Sequence, residues 1–154
     1  MSKTEASNAL ASDLRTLLHN SRVIDAPAEL RTFAYDASFL TQLSPHAPDV
    51  AVIAGSIEDV QAVMRYANEH DIPVTPRGAA TGQAGGAAAL CGGITLSMNA
   101  MNRIVEIDLP NMQAICEPGV IHARAQRRAG AAPPDLPSRP RFQPHGDGRR
   151  HGLD

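Results

Sequence analysis

Residues 73–93 read PVTPRGAATGQAGGAAALCGG, a run that holds six glycines and six alanines. A backbone this bare is either a loose linker or a means of bringing main-chain N–H groups close to a ligand that larger side chains would keep away. The chemistry it favours is anionic. Gly78, Gly82, Gly85 and Gly86, with Thr81 between them, allow successive N–H groups to form a concave nest for phosphate oxygens. Arg77 adds charge to such a nest or is simply solvated. The run has no Gly-Lys-Ser or Gly-Lys-Thr, so it is not a P-loop, and it does not fit the Gly-x-Gly-x-x-Gly turn that opens a helix in ordinary dinucleotide folds. His70 and His122 have no partner spacing for a metal or a nucleophile relay and are expected at the surface. No catalytic residue and no metal ligand is assigned.

The elements around the run decide between linker and cradle. DVAVIAGS reads as a buried strand over 50–53 and leads into SIEDVQAVMRYANEHD, a helix with Val60, Val63, Met64 and Ala67 on one face. Ser56 stands three residues before Asp59, as in a capping box. IPVTP then returns as a strand. Strand, helix, strand makes a βαβ unit, for which parallel pairing and a right-handed crossover are strongly preferred. The glycine run thus starts at the C-terminal end of a parallel strand, where open α/β sheets bind ligands. GITLSM, RIVEID and MQAICEPG follow as strands, with a turn at DLPN. The expected fold class is α+β, a βαβ unit followed by a mixed sheet. Upstream, Leu10, Leu14, Leu17 and Leu18 recur at helical spacing, with Ser7 or Ser12 able to cap that first helix.

The chain has 154 residues with 43% hydrophobic composition, enough for one cored unit, and a net charge of −2 that gives no nucleic-acid signature. Cys91 and Cys116 read as small buried hydrophobes in a reducing compartment, without a disulfide or zinc site. The charged N-terminus has no long apolar core, and no segment reaches the length of a membrane span. A cytoplasmic protein is expected.

From 35 to 126 the order and spacing of AYDAS, SIEDVQAVMRYANEHDIPVTPRG, GG, MNRIVEID and EPGV resemble the flavin-binding domain of the FAD-linked oxidases named after vanillyl-alcohol oxidase and p-cresol methylhydroxylase. The likeness is to the glycolate oxidase and D-lactate dehydrogenase branch. It implies a non-covalent FAD whose pyrophosphate is wrapped by Arg77, Gly78, Ala79, Thr81, Gly82, Gly85 and Gly86. It also implies that Glu117, Pro118, Gly119 and Val120 lie near the isoalloxazine, although an ordinary turn after a strand would read the same. Tyr35, Asp36 and Ser38 resemble a flavin-contacting patch, with structural packing as the alternative. One departure stands out: Ala80 occupies a position usually held by glycine, and its Cβ is strained if the backbone there needs positive φ.

The division expected is an N-terminal helical segment over 1–34, an incomplete FAD-binding domain over 35–126, and a tail over 127–154. The tail, rich in Arg, Pro and Gly, has no strand or helix period and reads as disorder, or as a basic RNA-binding extension. Read one base out of frame, its codons permit ALAxH, YPPDPAS and TVGG, the pattern that continues this family. A frameshift between about Arg124 and Arg128 is therefore expected, leaving a truncated product. The implied function is the FAD-binding fragment of a flavin-dependent dehydrogenase or oxidase of a 2-hydroxy acid, glycolate or D-lactate. That fragment is expected to be inactive alone. The alternatives are a non-catalytic nucleotide- or phosphate-binding module and an inactive product of a frameshifted gene.

Overall fold

The computed structural model describes residues 3–130. The tail expectations for 131–154 fall outside the described residues. A four-stranded mixed sheet is built from β1 (Arg22–Ile24), β2 (Val50–Ile53), β3 (Val74–Arg77) and β4 (Ile94–Ser97), in the order β1-β2-β4-β3. Helix α1 (Lys3–Leu17) precedes it, and α2 (Pro27–Leu30) and α3 (Phe39–Leu43) lie between β1 and β2. Helix α4 (Ile57–Glu69) crosses from β2 to β3. A separate antiparallel hairpin, β5 (Ile104–Asp108) with β6 (Gln113–Cys116), is followed by α5 (His122–Arg128).

The strand and helix of the βαβ unit form as their sequence patterns dictate, but its two strands are not neighbours. Strand β4 sits between them, parallel to both, with Val50 and Val74 each opposite Ile94. The reason is burial. ITLS is buried at every position, the property of a central strand covered on both faces, whereas β3 exposes Pro76, which cannot donate to a ladder and suits an edge. Strand β1, which sequence patterning missed, closes the other edge antiparallel to β2. Three residues are too few to show a period.

One face of this sheet buries Val50, Val52, Ile94 and Leu96 against Leu10, Leu14 and Leu18 near the first helix and Val63 and Ala67 of α4. Residues 10–24 thus supply a strand and part of the core. Leu17 and Met64, expected on apolar faces, are exposed instead. Ser7 and Ser12 lie inside α1 and cap nothing. Cys91 and Cys116 are both exposed and free, against the expectation of buried thiols.

The cap of α4 is half as expected. Ser56 Oγ accepts from the Asp59 N–H at 3.2 Å. The Asp59 carboxylate, however, does not turn back to Ser56 in a reciprocal box. It accepts from His19 N (3.3 Å), Asn20 N (2.9 Å) and Ser21 Oγ (2.7 Å), so it ties the end of the first helix to the start of α4. Burial pushes this carboxyl up, and the bonds from Ser21, His19 and Asn20 outweigh it, so the net shift is downward.

Candidate functional site

The glycine run leaves β3 at Arg77 and reaches β4 at Ile94. Within it, no main-chain N–H from 79 to 86 donates to another described residue. Because these residues are mostly exposed, their N–H groups stay free for solvent or for a ligand, and in succession they are the raw material of an anion site. Gly78, Gly82 and Gly86 have no atom within 4 Å of where a Cβ would stand, so the backbone here is open rather than packed. Ala80 (φ 56°) and Gly85 (φ 79°) adopt the left-handed conformation from which such nests are built. Ala80 therefore carries the strain anticipated for a non-glycine residue at that position.

Open does not mean loose. The Ala80 carbonyl accepts from Ala37 N at 3.1 Å. Ala87 is held on both sides: its N–H donates to Asp36 Oδ2 (3.4 Å) and its carbonyl accepts from Arg77 Nη1 (3.0 Å). The Arg77 guanidinium also donates to the carbonyls of Tyr35 (2.9 Å) and Thr32 (3.1 Å), and its Cζ lies 5.6 Å from the centroid of the Phe33 ring. Arg77 is 9% exposed, so it is not the solvated side chain that one sequence reading allowed. Burial lowers its pKa, with the nearby Asp36 charge acting the other way.

Asp36 and Ser38 belong to the packing beneath the loop. Asp36 Oδ1 accepts from Ser38 N (2.9 Å) and Thr41 Oγ1 (2.8 Å), and Ser38 Oγ caps α3 by accepting from Thr41 N. Burial pushes the Asp36 carboxyl up, but these bonds and the one from Ala87 outweigh it and bring it down to about 2. Tyr35 remains exposed.

The second motif meets the first. A cleft of about 460 Å³ is lined by Ala79 and Thr81 of the loop, by Pro118, Gly119 and Val120, and by Asn99, Asn102, Ile121, His122 and Arg124. Gly119 is required where it stands: its N–H donates to the Met101 carbonyl (2.8 Å), and a Cβ would come within 2.7 Å of that oxygen and clash with the Met98 carbonyl. The close approach docks the hairpin's exit onto residues 98–101.

Glu117 is turned away from the cleft. It accepts from Arg103 N (2.6 Å) and Nε (2.8 Å), and this pairing with Arg103 holds its carboxyl below the usual range. Arg77 and Glu117 are thus absent from the cleft wall, as are Gly78, Gly82, Gly85 and Gly86. Sequence reasoning missed Asn99, Asn102 and Arg124, and it set His122 aside. The NAMN turn carried the only signal, two amides bracketing a short connection, and Arg124 Nη1 now donates to Asn102 Oδ1 (3.1 Å) and its carbonyl (3.3 Å). Among the described residues no His, Cys, Asp and Glu cluster could hold a metal ion, and no helix is long and apolar enough to cross a membrane.

Residues 48–142 match a family described as an FAD binding domain. The chain is 36% identical over 121 residues to D-2-hydroxyglutarate dehydrogenase of Stutzerimonas stutzeri (strain A1501), covering 79% of this chain and 25% of that protein. It is 45% identical over 74 residues to D-lactate dehydrogenase of Anaerostipes hadrus, covering 48% and 16%. Among solved structures, p-cresol methylhydroxylase with substrate bound superposes with a TM-score of 0.66 at 29% identity, over 79% of this chain and 24% of that one. The chain spans about a quarter or less of the length of these relatives.

Proposed function

The chain belongs to the FAD binding domain family, with FAD as its cofactor, and from that premise we propose that it is the flavin-holding part of an enzyme that oxidises a D-2-hydroxy acid. The observation that carries this reading is the run of N–H groups from 79 to 86 that donate to no other described residue, beside the cleft shared with Pro118, Gly119 and Val120. We place the cofactor's pyrophosphate at Gly78, Ala79, Thr81, Gly82, Gly85 and Gly86, where open backbone suits close approach by phosphate oxygens. The second motif supplies Pro118, Gly119 and Val120 as the wall toward the rest of the cofactor, with Glu117 pinning that wall to Arg103. The attachment is non-covalent.

When bound, FAD supplies the redox chemistry of alcohol oxidation, and the protein supplies binding, orientation and exclusion of water. Within this chain, Asn99, Asn102 and His122 add polar groups to the cleft wall, and Arg124, bonded to Asn102, keeps that wall in place. The relatives carrying names of this chemistry act on D-lactate and D-2-hydroxyglutarate, which supports a small 2-hydroxy acid as substrate. Oxidation needs the substrate's α-carbon and hydroxyl proton held in a defined orientation against the cofactor. Phosphate contacts do not provide that, so residues 1–154 alone should not turn over.

Titration of the purified chain with FAD tests the reading: saturable quenching of flavin fluorescence is expected, with no oxidation of D-lactate or glycolate. A colourless chain that leaves FAD fluorescence unchanged would overturn it. Turnover that tracks bound flavin would overturn the claim that the chain is inactive alone.

A further inference from the structure

Arg77 is the last residue of β3, so its main chain begins the glycine loop while its side chain reaches Ala87, just past Gly86. One residue thus closes the loop on itself. Both hydrogens of Nη1 go to the carbonyls of Tyr35 and Ala87, and Nη2 donates to Thr32, so the guanidinium joins three stretches of backbone. Asp36 completes the grip by accepting the Ala87 N–H, and is itself fixed by Ser38 N and Thr41 Oγ1. Both side chains are buried. A guanidinium fork is pre-organised for several carbonyls at once, which an ammonium is not.

We propose that Arg77 and Asp36 are positioning residues that hold both main-chain polar groups of Ala87 and so set the shape of residues 78–86, controlling cofactor affinity without touching the cofactor. The affinity part rests on the flavin reading of this loop; the loop-shape part does not. It moves Arg77 from the phosphates, where the family resemblance put it, to the scaffold behind them. Loss of either partner leaves Ala87 half-held and a buried charge under-compensated, so the effects of the two should overlap rather than add.

Hydrogen exchange and FAD titration on Asp36→Asn, Arg77→Lys, Arg77→Met and the Asp36→Asn/Arg77→Met double variant test this in the full chain. The amides tied to the loop by hydrogen bonds, Ala37, Ala87 and Ala88, should exchange at least about tenfold faster in each variant, while those of α1 and α4 keep their rates, the expectation for a local opening. FAD affinity should fall about tenfold in each single variant, the worth of roughly one charge-assisted hydrogen bond. The double variant should lose little beyond the worse single one. Arg77→Lys should not restore affinity, and the salt dependence of binding should match that of the parent chain, because no phosphate contact is lost.

Unchanged exchange at Ala37, Ala87 and Ala88 in a folded variant would overturn the proposal. So would a loss confined to the Arg77 variants with a weaker salt dependence, the mark of direct phosphate contact. Should Arg77→Met fail to fold, the milder Asp36→Asn carries the same test. If the parent chain binds no FAD, the flavin reading falls and the exchange arm alone decides whether the clamp sets the loop.

Discussion

The four-stranded sheet and the β5–β6 hairpin are both made of apolar β-sequence, yet they bury it to opposite extents. Val50, Ala51, Val52 and Ile94 are fully buried, whereas every residue of β6 is exposed and Val105 is 67% exposed. The sheet has helices to cover it and neighbours on its inner strands. The hairpin has two strands, which rarely suffice alone in water, and it is held by its ends. The hold on the rest of the molecule is the Gly119–Met101 bond, while the Arg103–Glu117 pair closes the hairpin's two ends on each other. Stability is therefore concentrated in residues 10–97, while the cleft depends on a hairpin that contributes little to it.

The sharpest way to break this comparison is to remove the same kind of side chain from each part. Leu96→Ala should cost about 2–5 kcal/mol, since it opens a cavity at a site that cannot collapse. Val105→Ala should stay within about 0.5 kcal/mol. Urea unfolding of both variants measures the contrast, and equal losses would mean that the hairpin is folded into the main core.

A smaller effect is expected at the hairpin's attachment. Gly119→Ala puts a methyl group against the Met98 and Met101 carbonyls, an overpacking that costs about 1–3 kcal/mol unless the hairpin undocks. Amide chemical shifts of 98–102 should move while those of β2 and β4 stay, and shifts confined to residue 119 and its neighbours in sequence would contradict the docking.

Acid should separate the regions again. The Asp36 carboxyl titrates at about 2 in the folded chain against its ordinary 3.8, so its contribution is complete above about pH 4 and is lost as pH falls through 2. Asp59, also lowered, acts in the same direction. Urea midpoints between pH 6 and pH 2 should fall, and Asp36→Asn should flatten part of that fall. An unchanged acid slope in the variant would remove Asp36 from the account. The exposed Arg103–Glu117 tie should instead weaken with added salt.

The smallest expected effect is a gain. Ala80→Gly relieves a left-handed alanine, a strain of about 1 kcal/mol, set against the entropy that glycine loses on folding. Thermal melting should show a modest rise or no change, and FAD affinity should improve by no more than about tenfold. A loss of either would show that position 80 is better served by a methyl group.

Periodicity and punctuation in the sequence were sufficient for α4, β2, β3, β4 and the hairpin, because each carries a run long enough to show its period or a turn at DLPN. The loop's small residues announced close backbone approach, and Ala80 announced its own strain. What local pattern did not contain was adjacency: β4 enters between β2 and β3 because burial on both faces selects ITLS for the centre, a competition among distant segments. The three residues of β1 acquire their strand state only by pairing with β2. The chemistry of single residues was decided in the same way. Arg77 in sequence is a charge beside a phosphate loop. Only the fold brings the Thr32, Tyr35 and Ala87 carbonyls to its guanidinium, and only the fold turns Glu117 from the cleft toward Arg103. A residue's type sets which bonds it can make, and the long-range path of the chain sets which partners are within 3 Å.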